Sequence, residues 1–204
     1  MKLYNSMGPN PHVVRMYAAE CGVDLELEAV DLMGGANRQS EYLALNPSGQ
    51  LPCLVMANGE ILAEITAICE YLDEQAAGVT LLGDSAEERA KVRMWTRRVD
   101  LNICEPLTSG FRYSEGLGLF KERMITIPAA ADGLKQIARE KIAWLDDLMA
   151  EGREFIAGDK ISLADVVLFC FLAFGNTIGQ AYDQNLANVH AWFERMSARP
   201  SAQA

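Results

Sequence analysis

The sequence predicts an α/β domain followed by an all-α helical bundle, and three observations carry this reading. Strand-like runs alternate with amphipathic helical runs through the first third of the chain. Two of those runs flank Asn58-Gly59, a dipeptide suited to a hairpin turn. Beyond residues 77–85 (Ala-Gly-Val-Thr-Leu-Leu-Gly-Asp-Ser), which fit neither period, every apolar repeat has helical spacing. The expected organisation is a domain over 1–76, a linker over 77–85 and a helical domain over 86–204.

The first strand is read at Lys2–Tyr4. Gly8-Pro9-Asn10-Pro11 interrupts it, with Asn10 as a helix N-cap and Pro11 at the first helical position. Val14, Tyr17, Ala18 and Cys21 then share one helical face, and Gly22 is placed to end the helix. Leu25, Leu27 and Ala29 alternate with Glu26, Glu28 and Val30, the period of a strand with one mostly polar face, which closes a parallel β-α-β unit. A short helix is expected around Arg38–Leu45, then strands at Cys53–Met56 and Ile61–Ala63. A helix from Glu64 follows and buries Ile65, Ile68, Cys69 and Leu72. The order is β-α-β-α-β-β-α. In the second half, Val92, Trp95, Thr96, Val99 and Ile103 mark one long helix, and Leu134, Ile137, Ala138, Leu145, Leu148 and Met149 mark another. Ser162 precedes Asp165 by three residues, a pattern like a capping box, and opens an apolar helix that runs to Phe174.

Composition excludes several classes. Half of the 204 residues are apolar and 23% are charged, the balance of an ordinary globular protein. A formal charge of −10 repels phosphate backbones, so nucleic acid is not an expected partner. Residues 1–20 lack the features of a secretory signal, and the longest apolar run, Val166–Phe174, is far short of the roughly 20 residues that cross a bilayer. The expectation is a cytoplasmic protein with no membrane partner. Five cysteines without a Cys-x-x-Cys pair, and only two histidines, indicate neither a disulfide framework nor a metal site.

Three motifs stand in order along the chain. Asn46-Pro47-Ser48-Gly49-Gln50-Leu51-Pro52-Cys53-Leu54 has the form N-P-x-G-x-[VL]-P-x-L. Leu62–Leu72 follows L-x-[EQ]-S-x-A-I-x-x-Y-L with Ile65 in the serine position, and Gly158–Asp165 matches G-x-x-x-[ST]-x-A-D. With the two-domain plan, they resemble the cytosolic glutathione transferases over essentially the whole chain. The resemblance implies a thioredoxin-like N-terminal domain that binds glutathione. Pro52 is then a cis-proline, and the N–H and C=O of Leu51 face the cysteinyl backbone of the tripeptide. Glu64 holds the γ-glutamyl amino group, the Ile65 N–H or Thr66 hydroxyl takes its carboxylate, and Gln50 takes the glycyl carboxylate, with Arg38 and Gln39 as secondary candidates. His12, at the second helical position and neutral near the positive end of the helix, is a further candidate for this site.

Such enzymes bind glutathione as its thiolate. In the loop Ser6–His12, Pro9 falls where serine-using relatives place a hydroxyl, and Asn10 where others place a cysteine. The catalytic candidates that remain are the Asn10 amide, the Ser6 hydroxyl and the backbone N–H groups near Pro11-His12. Asn10 reads equally as an N-cap alone, and Ser6 as a solvent-facing hydroxyl. Thr108, Phe111, Arg112, Tyr113 and Phe120 offer an aromatic and polar mixture for a small electrophile, or equally pack the ends of helices. The implied activity is transfer of glutathione to a small apolar electrophile by a twofold homodimer, with a lyase or dehalogenase as a variant. A noncatalytic glutathione-binding or ligand-carrying protein and a dimeric scaffold are the alternatives.

Overall fold

The alternation at the start of the chain folds as read. β1 (Lys2–Asn5) pairs in parallel with β2 (Glu26–Ala29) and antiparallel with β3 (Cys53–Val55), which pairs antiparallel with β4 (Ile61–Leu62), giving the sheet order β2-β1-β3-β4. The computed structural model describes every residue except Ala77 and Val79, so the linker reading at those two positions lies outside the described residues. Three helices complete the first unit: α1 (Pro9–Cys21), α2 (Ser40–Leu45, after a 3₁₀ turn at Ala36–Arg38) and α3 (Ile65–Gln75). Leu3 and Leu54 sit opposite each other in the sheet and are fully buried, with Val13, Val14, Met16 and Tyr17 of α1 and Ile68, Cys69 and Leu72 of α3. This is a thioredoxin-like arrangement in the expected β-α-β-α-β-β-α order.

Several local expectations change. α1 starts two residues early, at Pro9, with Gly8 as its N-cap. Gly8 has φ 113°, where a side chain is strained, so glycine chemistry overrides the Asn10 cap preference and Asn10 becomes the second helical residue. Gly22 ends the helix in the left-handed region, as read. All four residues of β2 are exposed, because an edge strand with nothing over Leu27 buries neither face. The hairpin turn is a three-residue loop, with the Gly59 N–H on Met56 O at 3.0 Å and Gly59 at φ 86°. Ile65 is only half-buried. In the last turn of α3, Asp73 accepts from the Tyr17 hydroxyl (2.6 Å), the Thr80 hydroxyl (2.6 Å) and the Leu81 N–H (3.0 Å), and Leu81 and Leu82 are core residues.

The chain divides into two units, Met1–Asp84 with Pro200–Ala204, and Ser85–Arg199. Residues 200–204, which pattern alone assigns to the helical half, thus return to the first unit. The second unit holds α4 (Ala86–Val99), α5 (Glu105–Arg112), α6 (Leu117–Phe120), α7 (Ala131–Met149), α8 (Leu163–Thr177) and α9 (Ala187–Ser197). A π-helical turn at Asp100–Cys104 joins α4 to α5 without a break. In α7 the buried stripe is Ala131, Ala138, Ile142, Leu145 and Met149, and Ile137 faces outward, because the stripe follows 138-142-145-149 and leaves 137 a third of a turn aside. Ser162 and Asp165 form the expected capping box on α8. Asp165 is fully buried; burial pushes its carboxyl up, opposed by bonds from the Ile156 N–H, the Ser162 N–H and hydroxyl, and the Trp192 indole. No helix of the described residues is long and apolar enough to cross a membrane.

Candidate functional site

Sheet register gathers the motif residues at one end of the first unit. Because β3 is antiparallel to both neighbours, the ends of β1 (Asn5) and β4 (Leu62) lie at the end of the sheet where β3 begins (Cys53). Ser6, Leu51 and Glu64 therefore lie in the segments that leave β1, enter β3 and leave β4 at that same edge, where α1 and α3 begin.

The Leu51–Pro52 peptide is cis. The loop before it is held from behind. The Asn37 amide donates to Gly49 O (2.6 Å), and the Tyr42 hydroxyl (2.7 Å) and Asn46 amide (2.9 Å) both donate to Gln50 O. With those carbonyls occupied, Leu51 is the first residue of the loop whose N–H and C=O have no protein partner among the described residues. The Gln50 side chain is exposed. Asn46 lies within the sequence motif; Asn37 and Tyr42 carried no signal, because a donor reaching a loop from another element has no fixed spacing.

Glu64 is the only non-glycine residue among those described with positive φ, 67° with ψ 119°. Such a conformation costs about 1–3 kcal/mol. The side chain is exposed and caps nothing. The Ile65, Thr66 and Ala67 N–H groups have no acceptor among the described residues, and no acidic side chain lies in the first turn. α3 thus presents an open, positive N-terminus beside a carboxylate held in a strained backbone.

At α1 the donors are fewer than expected. Pro9 and Pro11 have no N–H, and the His12 N–H reaches Gly8 O at 3.4 Å. The Asn10 N–H is the one first-turn backbone donor left, and its half-buried side chain makes no cap. Ser6 Oγ donates to Met7 O at 3.2 Å. The His12 ring Nε2 lies 3.1 Å from Ala202 O. Tyr4 is within β1, its ring edge-on to Tyr42. Burial raises the Cys21, Cys53 and Cys104 thiols, and all five cysteines are buried.

Of the electrophile candidates, Thr108 is buried and its hydroxyl donates to Cys104 O within its own helix (2.9 Å). Phe111 meets Phe120 and Phe174 edge-on, and the Arg112 guanidinium lies over Phe120 and 3.6 Å from Glu105. Tyr113 caps α5. No group of three or more His, Cys, Asp or Glu side chains among the described residues is placed to hold a metal ion.

Comparison with known proteins decides the family. The glutathione S-transferase N-terminal domain model matches residues 7–75 and the C-terminal domain model residues 120–200. The chain belongs to the glutathione S-transferase family. Glutathione S-transferase 2 of Saccharomyces cerevisiae is 30% identical over 96% of this chain and 84% of its own length. Among solved structures, a glutathione S-transferase domain-containing protein from Marinobacter aquaeolei superposes with a TM-score of 0.93 at 33% identity, covering 99% of this chain and 100% of that one. Gtt2 of Saccharomyces cerevisiae gives 0.91 at 28%, covering 100% and 99%.

Proposed function

We propose that this glutathione transferase seats the tripeptide on the edge formed by Leu51, Pro52 and the start of α3, and takes its thiol as thiolate at the start of α1. The observation that carries the reading is the uncapped N-terminus of α3 behind the strained Glu64. Membership of the family makes the chain a glutathione transferase with glutathione as co-substrate. Leu51 pairs with the cysteinyl backbone, Glu64 accepts from the γ-glutamyl ammonium, and the Ile65 and Thr66 N–H groups receive its carboxylate. Residues 1–84 hold twelve acidic side chains against Lys2, Arg15 and Arg38. Lys2 is paired with Glu28, and Arg15 bonds Asn5, so exposed Arg38, with Gln50 and Gln39, is the remaining charge for the glycyl carboxylate. His12, committed to Ala202, stands outside the ligand set.

Lowering a thiol pKa by two units takes about 2.7 kcal/mol of preferential thiolate binding. One hydrogen bond to a charged sulfur contributes about 1.5–3 kcal/mol and a helix N-terminus about 0.3–2 kcal/mol. The Asn10 N–H and side-chain amide, with the α1 dipole and the Ser6 hydroxyl nearby, are therefore sufficient donors without a tyrosine or serine in the usual place. The sulfur forms a bond to carbon with its own electron pair, and the displaced group leaves with the pair it shared. The aromatic set Phe111, Phe120 and Phe174 beside Arg112 and Tyr113 supports a small apolar electrophile with a polar end. Met94 and Leu101, exposed and seven residues apart on one helical face, support a homodimer, and the composition suits the cytoplasm.

Titrating glutathione by calorimetry, with an ultraviolet scan for bound thiolate near neutral pH, tests the reading. Binding with a thiolate signal is expected. Binding without it favours a carrier, and no binding removes the assigned site.

A further inference from the structure

Pro200–Gln203 form a 3₁₀ turn that belongs to the first unit and packs on α1, with Ser201 and Ala202 only 7% and 6% exposed. Two polar contacts fasten it. The Ser201 hydroxyl donates to the Glu20 carboxylate, and His12 Nε2 lies 3.1 Å from Ala202 O. A carbonyl only accepts, so Nε2 carries the proton. Burial lowers the affinity of this imidazole for a second proton, and the Arg15 charge adds to it against the pull of the Ala202 carbonyl, so the ring is neutral at pH 7. His12 and Glu20 are eight residues apart, about 12 Å along a helix. Through the Glu20 and His12 side chains the turn is therefore tied to both the last and the first turn of α1.

That support matters most at the first turn. Two prolines remove donors there, no side chain caps it, and the His12 N–H bond to Gly8 is long at 3.4 Å. Left alone, such a helix start frays.

We infer that His12 is a positioning residue, which through Ala202 fixes where the first turn of α1 presents Asn10 and so sets how strongly the glutathione thiolate is held. The inference rests on the α1 reading proposed above, but the bracing itself can be measured without glutathione. The experiment compares the full chain with His12→Ala, His12→Gln and a chain ended after Arg199. It reads amide exchange at residues 12 and 13 without ligand, bound-glutathione thiolate against pH, and the thermal midpoint. His12→Ala and the shortened chain are each expected to speed exchange and raise the bound thiol pKa by about one unit, about threefold less thiolate at neutral pH. His12→Gln keeps both properties, because its amide nitrogen reaches the same carbonyl, and combining His12→Ala with shortening adds nothing. Should the shortened chain fail to fold, Ser201→Ala replaces it, with a smaller change in the same direction. Unchanged exchange in His12→Ala overturns the brace. Faster exchange with an unchanged thiol pKa overturns the positioning role and leaves the turn purely structural. A full chain that binds glutathione without any thiolate refutes the α1 reading and the thiol consequence with it, while exchange still decides the brace.

Discussion

Three helices of the second unit begin in the opposite way to two of the first. In the second, α4 opens on a full capping box between Ser85 and Glu88, α8 on another between Ser162 and Asp165, and Asp146 accepts from the Asn188 and Val189 N–H groups at the start of α9. In the first, neither α1 nor α3 has a side-chain cap or an acidic residue in its first turn. Capping satisfies donors and stabilises the fold; withholding it leaves donors for a ligand. The contrast teaches that this chain concentrates stability in one unit and keeps its open valences in the other.

The comparison breaks most visibly at Asp165. Replacing it with alanine leaves four buried donors without their acceptor, so Asp165→Ala is expected to cost about 3–5 kcal/mol. Denaturant unfolding of the full chain measures it, and a loss below about 1 kcal/mol would mean the network is not holding α8 and α9 together.

Glu64 is the counterpart in the first unit. Glu64→Ala removes a charged ligand contact that the fold does not use, so glutathione affinity is expected to fall about 10–100-fold with little change in thermal midpoint. Glu64→Gly should lose affinity alike and yet raise the midpoint. Relief of about 1–3 kcal/mol of strain exceeds the roughly 0.5–1 kcal/mol entropic penalty of glycine. A lower midpoint would show that the φ of 67° carries no strain. Ser85→Ala is a smaller change of the opposite kind, about 1 kcal/mol of stability lost with glutathione binding untouched, read by calorimetry on both quantities.

What the sequence disclosed follows the same division. Periodicity located the strands and the helices they feed, because both depend on which residues are buried. Asp165 was visible because a cap has a fixed spacing from its serine. Asn10 was misjudged as a cap because its preference for that place is local, while Gly8 at φ 113° is required by the turn out of β1. The bonds of Tyr42, Asn37 and Asp73 were invisible, since each joins elements whose distance apart in sequence means nothing until the sheet forms. The open backbone at Leu51 was legible only through the motif around it. His12 is a ligand candidate by its place near the positive end of α1, and nothing in the sequence points to a partner 190 residues away.

The gentlest test concerns charge in the second unit. Partial burial works against ionisation of Glu115, but bonds from Lys135 and Ser114 outweigh it and bring the carboxyl down to about 2 from an ordinary 4.5. A carboxyl lowered in the folded state stabilises the fold fully above the unfolded value. That contribution is lost as pH falls through the folded one, so the window runs from about 4.5 down to 2. With 41% of the Glu115 side chain exposed, solvent and salt screen the interaction and the effect is small. Thermal midpoints of the full chain and of Lys135→Met, compared across that window at low and high salt, isolate it from the other carboxylates. The variant is expected to lose less stability on acidification than the full chain, and the difference should shrink in salt. Parallel curves would place Glu115 among surface charges that contribute nothing, and the second unit would then owe its stability to its caps and core alone.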